Sequence, residues 1–437
     1  MPTKLGAHVL VTVQDVAEYA RAGPAVIKLV GGWGMAVEIP KTILVIGRFV
    51  EKYDAQRQRS IGQTPLEAAQ QFVSDQWPTY EANPDITYWE GHNEPVWVSK
   101  EDMAWYAQFE VERMRLMADE GLKCVIGNFS TGTPELDFWP AFLPALEAVK
   151  EHQAILGLHE YSCPWMWWLT GKHQLDPGAD EGDEGLTTLR YRKVYRQHLI
   201  PNGLGDVPLV ITECGIDPLV GHKPPEVGVG GTWKDLGDFW SQHDNKPDKA
   251  DYYFEQLRWY DGELQKDDYV VGAALFTWGS FKGTWRKFDV AGTPVARKLI
   301  DHARAHPAKP FVYPGTAGPD VEPGEAVLPL VSAVKPRGAP RLQYDRIYVL
   351  LPPNADATWA HAVVESTWDK EHYTLGSSAD DAGIGNLDVR RVIAVNPQEW
   401  AGDQSLEDFY TEHYPGVEYQ PLTAATPEEL AHKLADE

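Results

Sequence analysis

Tyr88-Trp89-Glu90-Gly91-His92-Asn93-Glu94-Pro95 is the stretch on which the fold turns, and Leu209-Val210-Ile211-Thr212-Glu213 answers it further along the chain. Each is a short apolar run that reads as a buried strand and carries a glutamate at its end. An unpaired carboxylate is too costly to leave in a core, so its place is the strand's last residue, facing a cleft. Two such glutamates on separate strands of one sheet can face each other across a bound ligand. Acid-assisted cleavage of a glycosidic bond requires that arrangement.

Working outward, residues 4–306 alternate strand and helix. The strand-like runs are Leu5–His8, Ala25–Val30, Ile43–Val50, Ile86–Glu94, Lys123–Asn128, Ile155–Tyr161, Pro208–Glu213 and Val270–Trp278. Between them lie apolar residues at three- and four-residue spacing, the mark of amphipathic helices. The clearest helix is Lys100–Glu120, opened by Ser99 as N-cap and closed by Gly121. Thr64-Pro65 opens another, with proline at the first helical position. Gly31–Thr42 is too short to hold a full helix. Eight strands with helices between nearly all of them predict a parallel sheet, either an open doubly wound sheet or a closed (β/α)8 TIM barrel. Polar residues gather at the C-terminal ends of many different strands, where a barrel builds its site, so the barrel is the expectation.

The predicted organisation is a catalytic barrel over 1–306, a proline-rich linker over 307–340 and a small α/β domain over 341–437. In that last domain Arg346–Leu351 and Arg391–Val395 read as strands, Thr358–Thr367 and Pro427–Leu434 as helices. Its Gly383-Ile-Gly385 is too sparse for a nucleotide loop and reads as a turn. Two long loops follow the sixth and seventh strands, Cys163–Gly185 and Gly221–Pro247. The acidic run from Asp176 to Glu184 lacks the carboxylate spacing of an EF-hand and reads as a solvated loop. Both loops are expected on the catalytic face.

Composition narrows the function. The chain has 437 residues, 43% of them hydrophobic, and a formal net charge of −25. Such a charge argues against nucleic acid or an anionic membrane as partner. Three scattered cysteines suggest no disulfide framework. Met1 to Gly6 run directly into a strand-like segment without an apolar signal region, and no apolar run is long enough to span a bilayer. The expected location is therefore cytoplasmic, although leaderless export or release by lysis would leave the same sequence. Seventeen tryptophans are many. Trp33 and Trp165 lie among loops and strand ends, where aromatic rings can form flat platforms for the C–H faces of sugars.

The polar residues around the two glutamates suit this chemistry. Arg48 can hold Glu213 ionised, with a structural ion pair as the alternative reading. His159 and Tyr161 alternate on the sixth strand and so share a face. The tyrosine can orient a nucleophile, and the imidazole can tune a proton donor. Asn93 offers an amide to the sugar 2-hydroxyl. Trp278, at the end of the eighth strand, can floor a sugar subsite. His8 and Lys28 are candidate wall or ion-pair residues.

Asn93-Glu94-Pro95 on the fourth strand, His159-x-Tyr161 on the sixth, Glu213 on the seventh and Trp278 on the eighth resemble clan A of the glycoside hydrolases. The resemblance covers residues 4–306. It implies a (β/α)8 barrel with a retaining mechanism, Glu94 as acid/base and Glu213 as nucleophile. An arginine is often on the clan's second strand; here that strand offers Lys28 and the third offers Arg48. The expectation is a retaining β-glycoside hydrolase acting on an oligo- or polysaccharide, without cofactor or metal. Its rival is a catalytically silent barrel that binds carbohydrate or serves a cell wall. A metal-dependent hydrolase is a weaker third reading, since no HExxH cluster appears.

Overall fold

The eight apolar runs become eight parallel strands that close on themselves. The computed structural model describes residues 1–49, 55–171, 182–221, 223–227, 231–280, 283–315, 346–352, 355–367, 373–377, 390–399, 405–413 and 417–435. The acidic run before residue 182, the Gly383–Gly385 turn and most of the proline-rich passage lie outside them. The chain divides into two compact units, Met1–Val334 and Lys335–Glu437.

In the first unit the strands are β1 (Leu5–Val9), β2 (Val26–Val30), β3 (Leu44–Arg48), β4 (Tyr88–Glu90), β5 (Lys123–Phe129), β6 (Ile155–Ser162), β7 (Leu209–Ile216) and β8 (Val270–Trp278). Each pairs in parallel with the next, and β1 pairs with β8, which closes a barrel. The open doubly wound alternative is thereby ruled out. Strands covered on both faces need no polar side, which is why they read as continuous apolar runs. The main helices are α1 (Gln14–Ala22), α2 (Ala55–Ser60), α3 (Pro65–Ala82), α4 (Lys100–Asp119), α5 (Trp139–His152), α6 (Tyr191–Val194), α7 (Gly237–Asp244), α8 (Lys249–Leu264) and α9 (Pro294–Ala305). Only a 3-10 turn, Trp33–Glu38, separates β2 from β3. No helix among the described residues is long and apolar enough to cross a membrane.

Local signals fix the helix starts. Thr64 accepts from the Glu67 amide while the Glu67 carboxylate accepts from the Thr64 amide, a capping box before Pro65. Ser99 caps α4 by accepting from the Asp102 amide.

Two layers make the core. One lies between the sheet and the helices. The other fills the barrel itself: Val26, Leu44, Ile46, Tyr88, Val125, Ile155, Val210 and Ala274 form a single buried cluster inside it. One layer above this apolar plug, toward the C-terminal ends of the strands, the inward positions turn polar.

The helix α4 carries a buried ion pair that shapes that end. Arg113 Nε donates to Glu110 at 2.7 Å, and its other nitrogens donate to the carbonyls of Trp89 and Val125. Glu110 accepts in turn from the Gly127 amide at 3.2 Å. A Cβ on Gly91 would lie 3.0 Å from that guanidinium, so a larger residue in the turn after β4 would have to press it aside.

The second unit holds a four-stranded parallel sheet with strand order β10-β9-β11-β12. Its elements are β9 (Arg346–Leu350), α10 (Ala357–Thr367), β10 (Tyr373–Gly376), β11 (Arg390–Val395), α11 (Leu406–His413), β12 (Val417–Leu422) and α12 (Pro427–Ala435). Its faces carry separate apolar clusters, one around Val349, Ile393 and Leu430 and the other around Tyr348, Val392 and Tyr410.

Candidate active site

Glu213 is buried, and β1, β2, β3 and β6 all reach it. Its Oε1 accepts from Lys28 Nζ at 3.0 Å and from Arg48 Nη1 at 3.0 Å. The His8 Nδ1 stands 3.4 Å from the same oxygen. Its Oε2 accepts from the Tyr161 hydroxyl at 2.8 Å, with His159 Nδ1 at 3.7 Å. Burial pushes this carboxyl upward, yet His159, Lys28, His8 and Arg48 together outweigh it and hold Glu213 well below the usual carboxylate range. His8 is itself driven well below the ordinary imidazole value, by burial first and then by the Lys28 charge. Lys28 and Arg48 donate directly to Oε1, while burial disfavours the His8 charge that also pulls Glu213 down. Burial and the neighbouring Glu213 keep Tyr161 protonated, so it is a lasting donor.

Lys28 serves two acids at once. Its Nζ also lies 3.0 Å from Glu90 Oε2, with both side chains wholly buried. Glu90 ends β4 beneath the cleft as a structural counter-charge, and Glu94 lies four residues beyond the strand's end. The strand was expected to run through Glu94. Instead the chain leaves the sheet at Gly91, and Glu94 adopts a left-handed φ of 50°. Its amide donates to the Asn128 carbonyl at 3.0 Å, which holds this turn against the end of β5. A non-glycine residue in that region of backbone space is uncommon and costs energy that its surroundings must supply.

The Glu94 side chain is 36% exposed, against 8% for Glu213. Its Oε1 lies 2.8 Å from His159 Nδ1. Burial and the charge of Glu213 raise Glu94. The bond to His159, the imidazolium charge and a hydrogen bond with Ser130 lower it, and the lowering prevails. One ligand-capable atom from each of Glu94, His159 and Glu213 falls within 4.8 Å of the others. These three could hold a metal ion by donor type. A dication would compete there with Lys28 and Arg48, which already neutralise Glu213.

The other expected residues divide. Asn93 is half-buried beside Glu94. Trp33 donates from its indole to the Arg48 carbonyl at 3.3 Å and packs on Phe49, so it lies behind the arginine. Trp165 donates to Asp244 of α7 at 2.8 Å and packs against Trp168 and Phe239, joining two long loops. Trp278 requires a correction. It is fully buried, its indole donates to Asp15 at 3.0 Å, and its ring stacks on Tyr19 of α1 at 4.6 Å. It floors no subsite in the cleft.

The cause is a register shift. His8 of β1 pairs with Phe276, but Val9 pairs with Trp278, so the two β8 residues do not share a face. Phe276 takes the inward place, its ring 4.8 Å from that of His8 and 6.1 Å from that of Tyr161. Sequence reasoning missed Phe276, because alternation continued through the irregularity points to the wrong aromatic. It also missed Glu160, the middle residue of His159-x-Tyr161. A charged residue between two inward ones on an otherwise apolar strand was the available signal. Glu160 faces the helices and accepts from the Leu189 amide, the Tyr191 amide and the Tyr260 hydroxyl.

No protein-family model matches the chain, and neither does any curated protein. Solved structures do. A family 39 glycoside hydrolase from the gut symbiont Bacteroides cellulosilyticus WH2 is similar over 69% of this chain and 64% of its own, at 13% identity and a TM-score of 0.44. An endo-β-1,4-mannanase from Thermotoga petrophila is similar over 70% and 77%, at 13% identity and a TM-score of 0.38. A GH2 β-galacturonidase from Eisenbergiella tayi is similar over 68% and 48%, at 12% identity and a TM-score of 0.42. The chain thus spans less than two thirds of the first and third of these. All three are glycoside hydrolases. The barrel itself rests on the strand pairing described above, and the chemistry rests on the site.

Proposed function

We propose that the chain is a retaining β-glycoside hydrolase in which Glu94 is the acid/base and Glu213 the nucleophile. The observation that carries this reading is the pair of carboxylates, with oxygens within 4.8 Å of each other and unlike surroundings. Retaining enzymes hold their carboxyl groups about 5–5.5 Å apart, whereas inverting ones leave about 6.5–9.5 Å for a water. Oxygens this close favour the narrower spacing.

The unlike surroundings support the division of roles. Glu213 is ionised, buried and aimed by Tyr161, as a nucleophile must be. Glu94 is the more exposed, so a proton can pass in and out, and it bonds His159 and Ser130. Burial and the Glu213 charge favour the protonated acid, against the His159 bond and charge and the Ser130 bond that leave Glu94 below its ordinary value. Glu94 acts in both half-reactions. In the first, Glu94 protonates the leaving oxygen while Glu213 attacks the anomeric carbon and forms a glycosyl-enzyme. In the second, Glu94 takes a proton from water, which attacks the same carbon and frees Glu213. Neither step calls for a metal or cofactor.

The substrate class proposed is carbohydrate. The test is the purified protein beside its Glu213→Gln variant on activated aryl β-glycosides of gluco, galacto, manno, xylo and arabinofuranosyl type. Wild type should release the aryl group from at least one and the variant from none. Equal turnover by the variant would sink the two-glutamate reading. Binding of glycans without cleavage would favour the silent barrel.

A further inference from the structure

Among the described tryptophans only Trp285 is exposed, at 49%. It sits in a 3-10 turn, Thr284–Lys287, in the loop after β8, on the face that carries Glu94 and Glu213. An open indole forgoes the burial that stabilises most tryptophans. This one is nonetheless held firmly. The Trp285 carbonyl accepts from the Phe288 amide at 2.9 Å, and the Phe288 carbonyl accepts from the buried Trp233 indole at 2.9 Å. Asp289 accepts from the amides of Gly279, Ser280 and Ala291, which fastens the two ends of the loop together. The ring itself is braced by Phe276 edge-on at 5.2 Å and by Phe288 at 5.8 Å.

The bracing also gives its place relative to the chemistry. Phe276 touches His8 and Tyr161, and both of those stand against Glu213. Trp285 is one aromatic ring further out. It continues the wall that Phe276, His8 and Tyr161 form beside Glu213. A flat apolar face fixed in advance suits the C–H face of a pyranose and spends little entropy on binding.

We propose that Trp285 is the platform of a second sugar subsite, adjoining the one at Glu213, so that the substrate is an oligosaccharide or longer glycan. The proposal rests on the glycosidase reading and deepens it. Its test compares an aryl β-monoglycoside of the sugar the enzyme accepts with the aryl β-trioside of the same sugar, for wild type, Trp285→Ala and Trp285→Phe. In wild type the trioside should have the lower KM. Trp285→Ala should raise the trioside KM on the order of tenfold and leave the monoglycoside KM and kcat unchanged, and Trp285→Phe should restore part of the loss. Equal losses on both substrates would overturn the proposal, because the ring would then support the reacting sugar or the fold. No preference of wild type for the trioside would overturn it too. Failure of wild type on every glycoside would instead remove the glycosidase reading, and the second subsite with it.

Discussion

At the residue scale the site depends on Tyr161. Its hydroxyl is the sole hydrogen bond described on Glu213 Oε2, while Oε1 is shared by Lys28 and Arg48. A hydrogen bond to a charged group is worth about 1.5–3 kcal/mol, so Tyr161→Phe should lower kcat on the order of 10- to 100-fold. It also removes a donor that favours the ionised nucleophile, so Glu213 should titrate higher and the acid limb of the kcat/KM profile should move to higher pH. A pH–rate profile of the variant checks both; an unmoved acid limb would mean that Tyr161 only packs. The two glutamates and the residues around them were legible because their chemistry is rare inside a sheet. Lys28, Arg48, His159 and Tyr161 are polar groups in strands that otherwise have no use for them, and each proves to stand against Glu94 or Glu213. Trp278 misleads for the opposite reason, since an aromatic at a strand end is equally at home in core and cleft.

At the element scale Glu160 decides how firmly β6 is held. Its neighbours His159 and Tyr161 face the cleft while it anchors the strand outward, to the amides at the start of α6 and to Tyr260 of α8. Burial pushes its carboxyl up to about 7, against the pull of the Leu189 amide, the Tyr260 hydroxyl and the Tyr191 amide. The folded state therefore holds this proton more tightly than the unfolded chain does. The stabilisation is fully present below the ordinary carboxylate value and is lost as pH rises through about 7. Wild type should accordingly lose stability relative to Glu160→Gln between about pH 4.5 and 7, by about 3 kcal/mol at most. Urea melts of both proteins across that range test it, and parallel curves would refute it. Helix starts were legible in the same local way, because the caps at Thr64 and Ser99 are written in neighbouring residues. The shift between His8 and Val9 was not, because an irregularity in pairing is a property of two strands 260-odd residues apart in sequence.

At the scale of the whole molecule the chain is two proteins' worth of core. Among the described residues, the barrel's apolar plug and its sheet–helix layer draw on residues before 316, and the clusters around Val349 and Tyr348 on residues after 345. The barrel was legible from the regular spacing of long buried strands. The second unit was half legible: β9, β11, α10 and α12 were anticipated, whereas β10, α11 and β12 were not. The missed strands are only partly buried, so they carry no continuous apolar run. Units with separate cores unfold separately unless a large shared interface couples them. Calorimetry of the full chain should therefore resolve two transitions. A competitive inhibitor that fills the cleft binds only the folded barrel, so it should raise one transition by mass action and leave the other in place. At 100 times its dissociation constant the gain is about 2.7 kcal/mol, enough to move the barrel's transition by a few degrees at least. A single transition that moves as a whole would show instead that the second unit folds together with the barrel.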